Sequence, residues 1–74
     1  MHYKTTYAVR ADFILDDNNH LVKVYGINAY QNGKLIIVVP DVFTDSNKIH
    51  SLVNLCNTLQ LDVIHLDDVI EDVI

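Results

Sequence analysis

Apolar and polar residues alternate from the start of the chain with the two-residue period of a strand. Over residues 3–15, Tyr7, Val9, Ala11, Phe13 and Leu15 fall on one side, and Lys4, Thr6, Arg10 and Asp12 fall mostly on the other. Asp16-Asp17-Asn18-Asn19 then brings turn chemistry, because short Asx side chains bond to their own backbone and tolerate left-handed conformations. A second strand is expected over residues 20–31. Asn32-Gly33 supplies the two positive-φ positions of a type I′ hairpin turn. A third strand runs over residues 34–39 and is expected to close at Pro40, which has no amide hydrogen for further pairing.

Setting Gln31 opposite Lys34 pairs Ile27 with Val38 and Ala29 with Ile36, while Asn28 meets Ile37 and Gly26 meets Val39. On this register Tyr7, Val9, Ala11, Phe13, Tyr25, Ile27, Ile36 and Val38 share a core face. The opposite face also reads as apolar, with Ile14, Val22, Val24, Tyr30, Leu35, Ile37 and Val39. Antiparallel sheets usually leave one face to water, so a second apolar face implies a cover. A second copy of the chain is the expected cover, giving a homodimer through Val22, Val24, Tyr30, Leu35, Ile37 and Val39.

Near residues 42–45 the period changes from two to three and four. A helix over about 45–58 is expected, with Thr44 or Asp45 as its cap and Ile49, Leu52, Val53, Cys56 and Leu59 as its apolar stripe. A second helix over 63–73 starts at the cap Asp62. Its stripe is Leu66, Val69, Ile70 and Val73, with Asp67, Asp68, Glu71 and Asp72 on the reverse side. The fold class is therefore α+β: a three-stranded antiparallel β-meander followed by an αα-hairpin packed on one sheet face.

At 74 residues this reads as one domain, near the size at which a single core barely suffices. Half of the residues are hydrophobic and a fifth are charged, which is too apolar for a disordered chain. The lone Cys56 allows no internal disulfide, so a reducing, cytoplasmic setting is expected. No apolar signal segment opens the sequence, and no run reaches the roughly 18 apolar residues of a membrane span. The net charge of −5 and the scattered basic residues disfavour nucleic acid and anionic membranes as partners.

That charge has one source. The last thirteen residues hold five acidic side chains and no Lys or Arg, and the rest of the chain is balanced. Asp67 with Glu71 and Asp68 with Asp72 are like-charge pairs one helical turn apart, each costing about 0.2 to 0.5 kcal/mol. Glu71 and Asp72 also lie at the negative end of the helix dipole. The ordinary role of such a face is solvation; the sharper one is contact with a basic protein partner through Asp67, Asp68, Glu71 and Asp72.

Enzyme chemistry finds little support. His65, Asp68 and Glu71 make a poor metal set, because Glu71 turns away and transition metals prefer more His or Cys. His65 is better placed to reach back to the Asp62 cap. His2, His20 and His50 lie in separate elements. Cys56 and His50 fall on different sides of their helix, so Cys56 reads as a core residue. Gly26 and Gly33 form no phosphate-binding loop; Gly26 faces Arg10, where a missing side chain admits close packing or a bulge. No cofactor is expected. The leading expectation is a noncatalytic protein-interaction or regulatory module that acts through the acidic C-terminal helix, or an exposed sheet edge, against a protein partner. The alternative is a small-ligand or metal-binding protein, or a minor enzyme, with a site near Tyr25, Tyr30 and His65.

Four segments carry a resemblance: Val24-Tyr25-Gly26-Ile27, Asp41-Val42-Phe43-Thr44-Asp45, Leu52-Val53-Asn54-Leu55-Cys56-Asn57, and Ile64-His65-Leu66-Asp67-Asp68-Val69-Ile70-Glu71-Asp72-Val73. Together they resemble a family of short Gram-positive bacterial proteins of unknown function, whose typical ending is HLxDVIEDF. The likeness spans residues 22–74. Where Asp62-Val63 stands here, such proteins often have Ser-Pro, which is consistent with a helix start. The resemblance implies no activity.

Overall fold

The strand signals and the asparagine turns build one antiparallel sheet. In the computed structural model, which describes residues 4–74, β1 is Thr5–Leu15, β2 is Leu21–Gln31 and β3 is Lys34–Phe43, in the order β1-β2-β3. Tyr3, at the start of the expected first strand, and His2 lie outside the described residues. Asp16 fastens the first turn: its Oδ1 accepts from the amides of Asn18 and His20, both at 2.9 Å, and Asn19 takes the left-handed conformation. Asn32 and Gly33 have φ of 53° and 80°, as a type I′ turn requires.

Two irregularities in β3 correct the expected register. Gln31 does face Lys34, but Ala29 pairs with Ile37 and Ile27 with Val39, so an extra residue has entered β3 opposite Tyr30. A one-residue slip exchanges the faces. Ile37 and Val39 therefore pack against the core, and Ile36 and Val38, about 40% exposed, face outward. The second irregularity lies opposite Gly26. There β3 does not end at Pro40 but bends through Pro40 and Asp41, the latter at φ 57°, before Phe43 pairs with Tyr25. Proline is tolerated here because β3 is an edge strand. A Cβ on Gly26 would overlap the carbonyl oxygen of Val39 and stand 2.9 Å from the Cα of Pro40.

One face of the sheet carries both helices. α1, Ser46–Thr58, is capped by Asp45, whose side chain accepts from the amide of Asn47 at 2.8 Å. It buries Ile49, Leu52, Val53 and Cys56 over Tyr7, Ile27 and Ala29. Cys56 is fully enclosed, and burial raises its thiol pKa. The helix ends in a Schellman turn: the amides of Gln60 and Leu61 donate to the carbonyls of Asn57 and Cys56, with Gln60 left-handed at φ 50°. The expected second helix opens as a single 3-10 turn, Val63–His65, before α2, Leu66–Val73. Asp62 caps that turn through the amide of Ile64. The bond back to Asp62 comes from the backbone amide of His65, not its ring.

Tyr7 ties the sheet to α1 and to the loop that follows it. Its hydroxyl donates to the carbonyl of Leu61 at 2.6 Å, while its backbone is held by Asn57. The Asn57 carboxamide accepts from the Tyr7 amide at 2.8 Å and donates to the Tyr7 carbonyl at 2.9 Å, the two bonds a further strand would make. Burial, with the neighbouring Cys56 and Asp62 adding to it, pushes the phenol from its ordinary 10.0 up to about 12. Between those values the unfolded chain binds fewer protons at this position than the folded one, so stability falls as pH rises. We expect Tyr7 to contribute a loss of about 2 kcal/mol between pH 10 and 12 and none below pH 10. Urea unfolding of the parent and of Tyr7→Phe checks this, since the variant lacks that part of the alkaline decline.

The helices cover only part of their face. α1 has 13 residues and spans about 20 Å, whereas the 11-residue β1 spans about 36 Å. Ala11 and Phe13, expected in the core, therefore lie beyond the helix and are exposed, Phe13 at 65%. Beyond Tyr25, β2 also has no partner in β3, so the far ends of β1 and β2 project as a two-stranded ribbon. The molecule measures 50 × 24 × 17 Å, and its radius of gyration of 13.1 Å exceeds the roughly 11 Å usual for this length.

Candidate functional site

The acidic side chains of α2 stand where the periodicity places them. Leu66 and Ile70 are buried and Val69 half-buried, while Val73, expected on the same stripe, is exposed at the end of the helix, as are Asp67, Asp68, Glu71 and Asp72. Among the described residues none of the four makes a salt bridge. The alternative site does not assemble. Tyr25 packs beside the core, whereas Tyr30, an odd number of residues away on a regular stretch of β2, lies on the other face. The His65 ring makes no hydrogen bond among the described residues, and His50 is engaged with the Ser46 carbonyl at 2.7 Å, away from Cys56. No group of three or more His, Cys, Asp or Glu side chains is gathered for a metal among the described residues. No helix there is long and apolar enough to cross a membrane.

The uncovered face of the sheet is organised differently from the expected dimer surface. Val22, Val24, Tyr30 and Leu35 do lie on it by register, but Val24 is only 2% exposed and offers nothing to a partner. Ile37 and Val39 belong to the core side. In their place the face presents Ile14, Ile36 and Val38 with Leu35. A polar stripe crosses between them. Arg10 donates to both carboxylate oxygens of Asp12, at 2.8 and 3.2 Å, and to Asn28 Oδ1 at 3.2 Å, and Asn28 Nδ2 stands 3.5 Å from the Tyr30 hydroxyl. Those hydrogen bonds hold the Asp12 carboxyl below its ordinary pKa and Arg10 above its own. Arg10 and Asp12 are the only charged residues on the paired stretch of this face, so its net charge is zero.

At the projecting ribbon both sides are apolar. Ile14 and Val22 face the uncovered side; Phe13, Leu15 and Leu21 face the other and are exposed. Lys23 lays its chain between two rings, with Nζ 5.9 Å from the Phe13 centroid and 5.5 Å from that of Tyr25. A family model described as a family of unknown function, DUF6514, matches residues 1–74. The chain belongs to this family. No curated protein and no solved structure matches it.

The DUF6514 match takes in β1, which the resemblance over residues 22–74 left out. In this DUF6514 chain two exposed apolar parts of the surface are not marked by the sequence pattern. Ile36 and Val38 were hidden by an unbroken apolar run from Leu35 to Val39, in which either parity fits. The ribbon was hidden because its residues carry the same alternation as the core. A signal for it was present in the lengths: a helix of thirteen residues cannot cover strands of eleven. A further open groove of about 430 Å³ lies beside α1 and is lined by Phe43, Lys48, Leu55 and Val73, with Lys48 Nζ 5.9 Å above the Phe43 ring.

Proposed function

We propose that this DUF6514 chain is a noncatalytic protein-interaction module whose binding surface is the uncovered side of the sheet together with the projecting ribbon. The observation that supports this reading is the ribbon, which is exposed on both sides and carries Phe13, Ile14, Leu15 and Leu21. A two-stranded ribbon is marginal in water by itself, and apolar side chains on both faces of one are a cost without a partner. The acidic face of α2, turned away from this surface, would favour a basic segment on any larger partner. A cytoplasmic, bacterial setting belongs to the same reading, in keeping with the single buried thiol of Cys56.

The test is site-specific photo-crosslinking in cells from position 14, with position 48 on α1 as a control. A discrete adduct from position 14 that vanishes when Ile36 and Val38 are both replaced by Asp is the expected result. Equal labelling from both positions, or no adduct at all, would overturn the reading.

A further inference from the structure

We infer that the partner on the uncovered face is a second copy of this chain, related by a two-fold axis; the inference rests on the interaction reading above and names its occupant. Three observations carry it. The chain exposes 5299 Å², whereas a monomer of 8.4 kDa is expected to expose about 4,600 Å². The excess, roughly 700 Å² summed over the ribbon and the rest of the chain, is of the same order as the ~800 Å² that each partner buries in a standard interface.

The second observation is electrostatic. Two copies of a chain with net charge −5 repel one another, and the repulsion depends on which surfaces meet. Contact through α2 would set Asp67, Asp68, Glu71 and Asp72 against themselves. Contact through the uncovered face brings together surfaces of zero net charge. It also leaves the acidic helices on the two outer sides, more than about 30 Å apart and several Debye lengths from each other at physiological salt.

The third is self-complementarity. A two-fold contact places the same patch on both sides, so a charged group survives in it only when its opposite lies close by. The face meets that condition with one cation and one anion, Arg10 and Asp12, already bonded to each other. Around them stand Ile14, Leu35, Ile36 and Val38, apolar and exposed, the composition of an interface core with a satisfied polar centre.

Sedimentation equilibrium of the purified chain at tens of micromolar decides the matter, with a mass of twice 8.4 kDa expected. Replacing Ile36 and Val38 by Asp should raise the dissociation constant roughly a hundredfold, about tenfold for each buried apolar group that becomes a carboxylate. Both positions are outward-facing, so circular dichroism of the variant should match that of the parent. Glu71→Lys, on the opposite side, should leave the dimer intact. A monomeric parent, or a dimer that survives the double substitution and is lost with Glu71→Lys, would overturn the inference. A monomer accompanied by a discrete adduct of another mass from position 14 would remove self-association and leave the interaction reading in place. A monomer without any adduct would remove both.

Discussion

Gly26→Ala is expected to destabilise the domain by about 3 kcal/mol, the upper end of what overpacking costs, and to lower Tm by more than about 12 °C. The added methyl would meet backbone, the Val39 carbonyl oxygen and the Cα of Pro40, and neither can turn aside as a side chain does. To make room β3 would have to withdraw from β2 where it bends through Pro40 and Asp41. That bend sets Phe43 opposite Tyr25 and leads into α1, so the strain reaches the helix layer. Gly33→Ala offers a comparison of another kind. Gly33 needs its positive φ but has open space around it, so its loss should be the smaller of the two. Thermal melts of both variants check this, and equal losses would mean that the contact at Gly26 is unimportant.

Leu66→Ala should cost about 3 kcal/mol, within the range for emptying a fully buried leucine site. Leu66 is 1% exposed and, with Ile70, is one of only two buried anchors on a helix of eight residues. A helix that short does not persist in water by its own propensity, and two like-charge pairs further weaken this one. Docking is what keeps it helical. Amide exchange should therefore show protection lost across residues 66–73 while the centre of β2 stays protected. Full protection of that segment in the variant would mean that Val63 and Val69 suffice to hold it. The same experiment bears on the acidic face, because Asp67, Asp68, Glu71 and Asp72 share one side only while the helix is formed.

Much of the architecture was legible because its signals are local. The Asn32-Gly33 turn, the caps Asp45 and Asp62, and four of the five stripe residues, Ile49, Leu52, Val53 and Cys56, depend on neighbours in sequence, and the structure has them; Leu59, the fifth, falls at the helix C-cap and is exposed. So was the need for a glycine at position 26. The errors arose where a distant element decides. An uninterrupted run from Leu35 to Val39 satisfies either face, and the extra residue opposite Tyr30 settles which. Pro40 looks like a terminator until β3 is known to lie at the edge of the sheet. Phe13 has the parity of a core residue but not the cover, because α1 stops short of it. The acidic side chains of α2 were placed well for a simple reason: nothing packs on them. His65 meets Asp62 through its backbone amide, which donates to the Asp62 carbonyl, where its spacing predicts a ring contact with the cap.

The bracket that Asn57 places on Tyr7 has a consequence for assembly. A strand with free amides and carbonyls along its outer side is a template, and chains added there present the same template again, without end. On β1 that side is already occupied at Tyr7 by a carboxamide from α1. On β3 the straight run is broken twice within ten residues, at the bulge near Ile36 and at the bend through Pro40 and Asp41. Growth by strand addition is thus obstructed at Tyr7 on one border of the three-stranded part of the sheet and along β3 on the other. What stays open is a face, and faces joined by a two-fold rotation are used up when two copies have met. The side chain of one helical asparagine thereby stands where the amide and carbonyl of an added strand would bond.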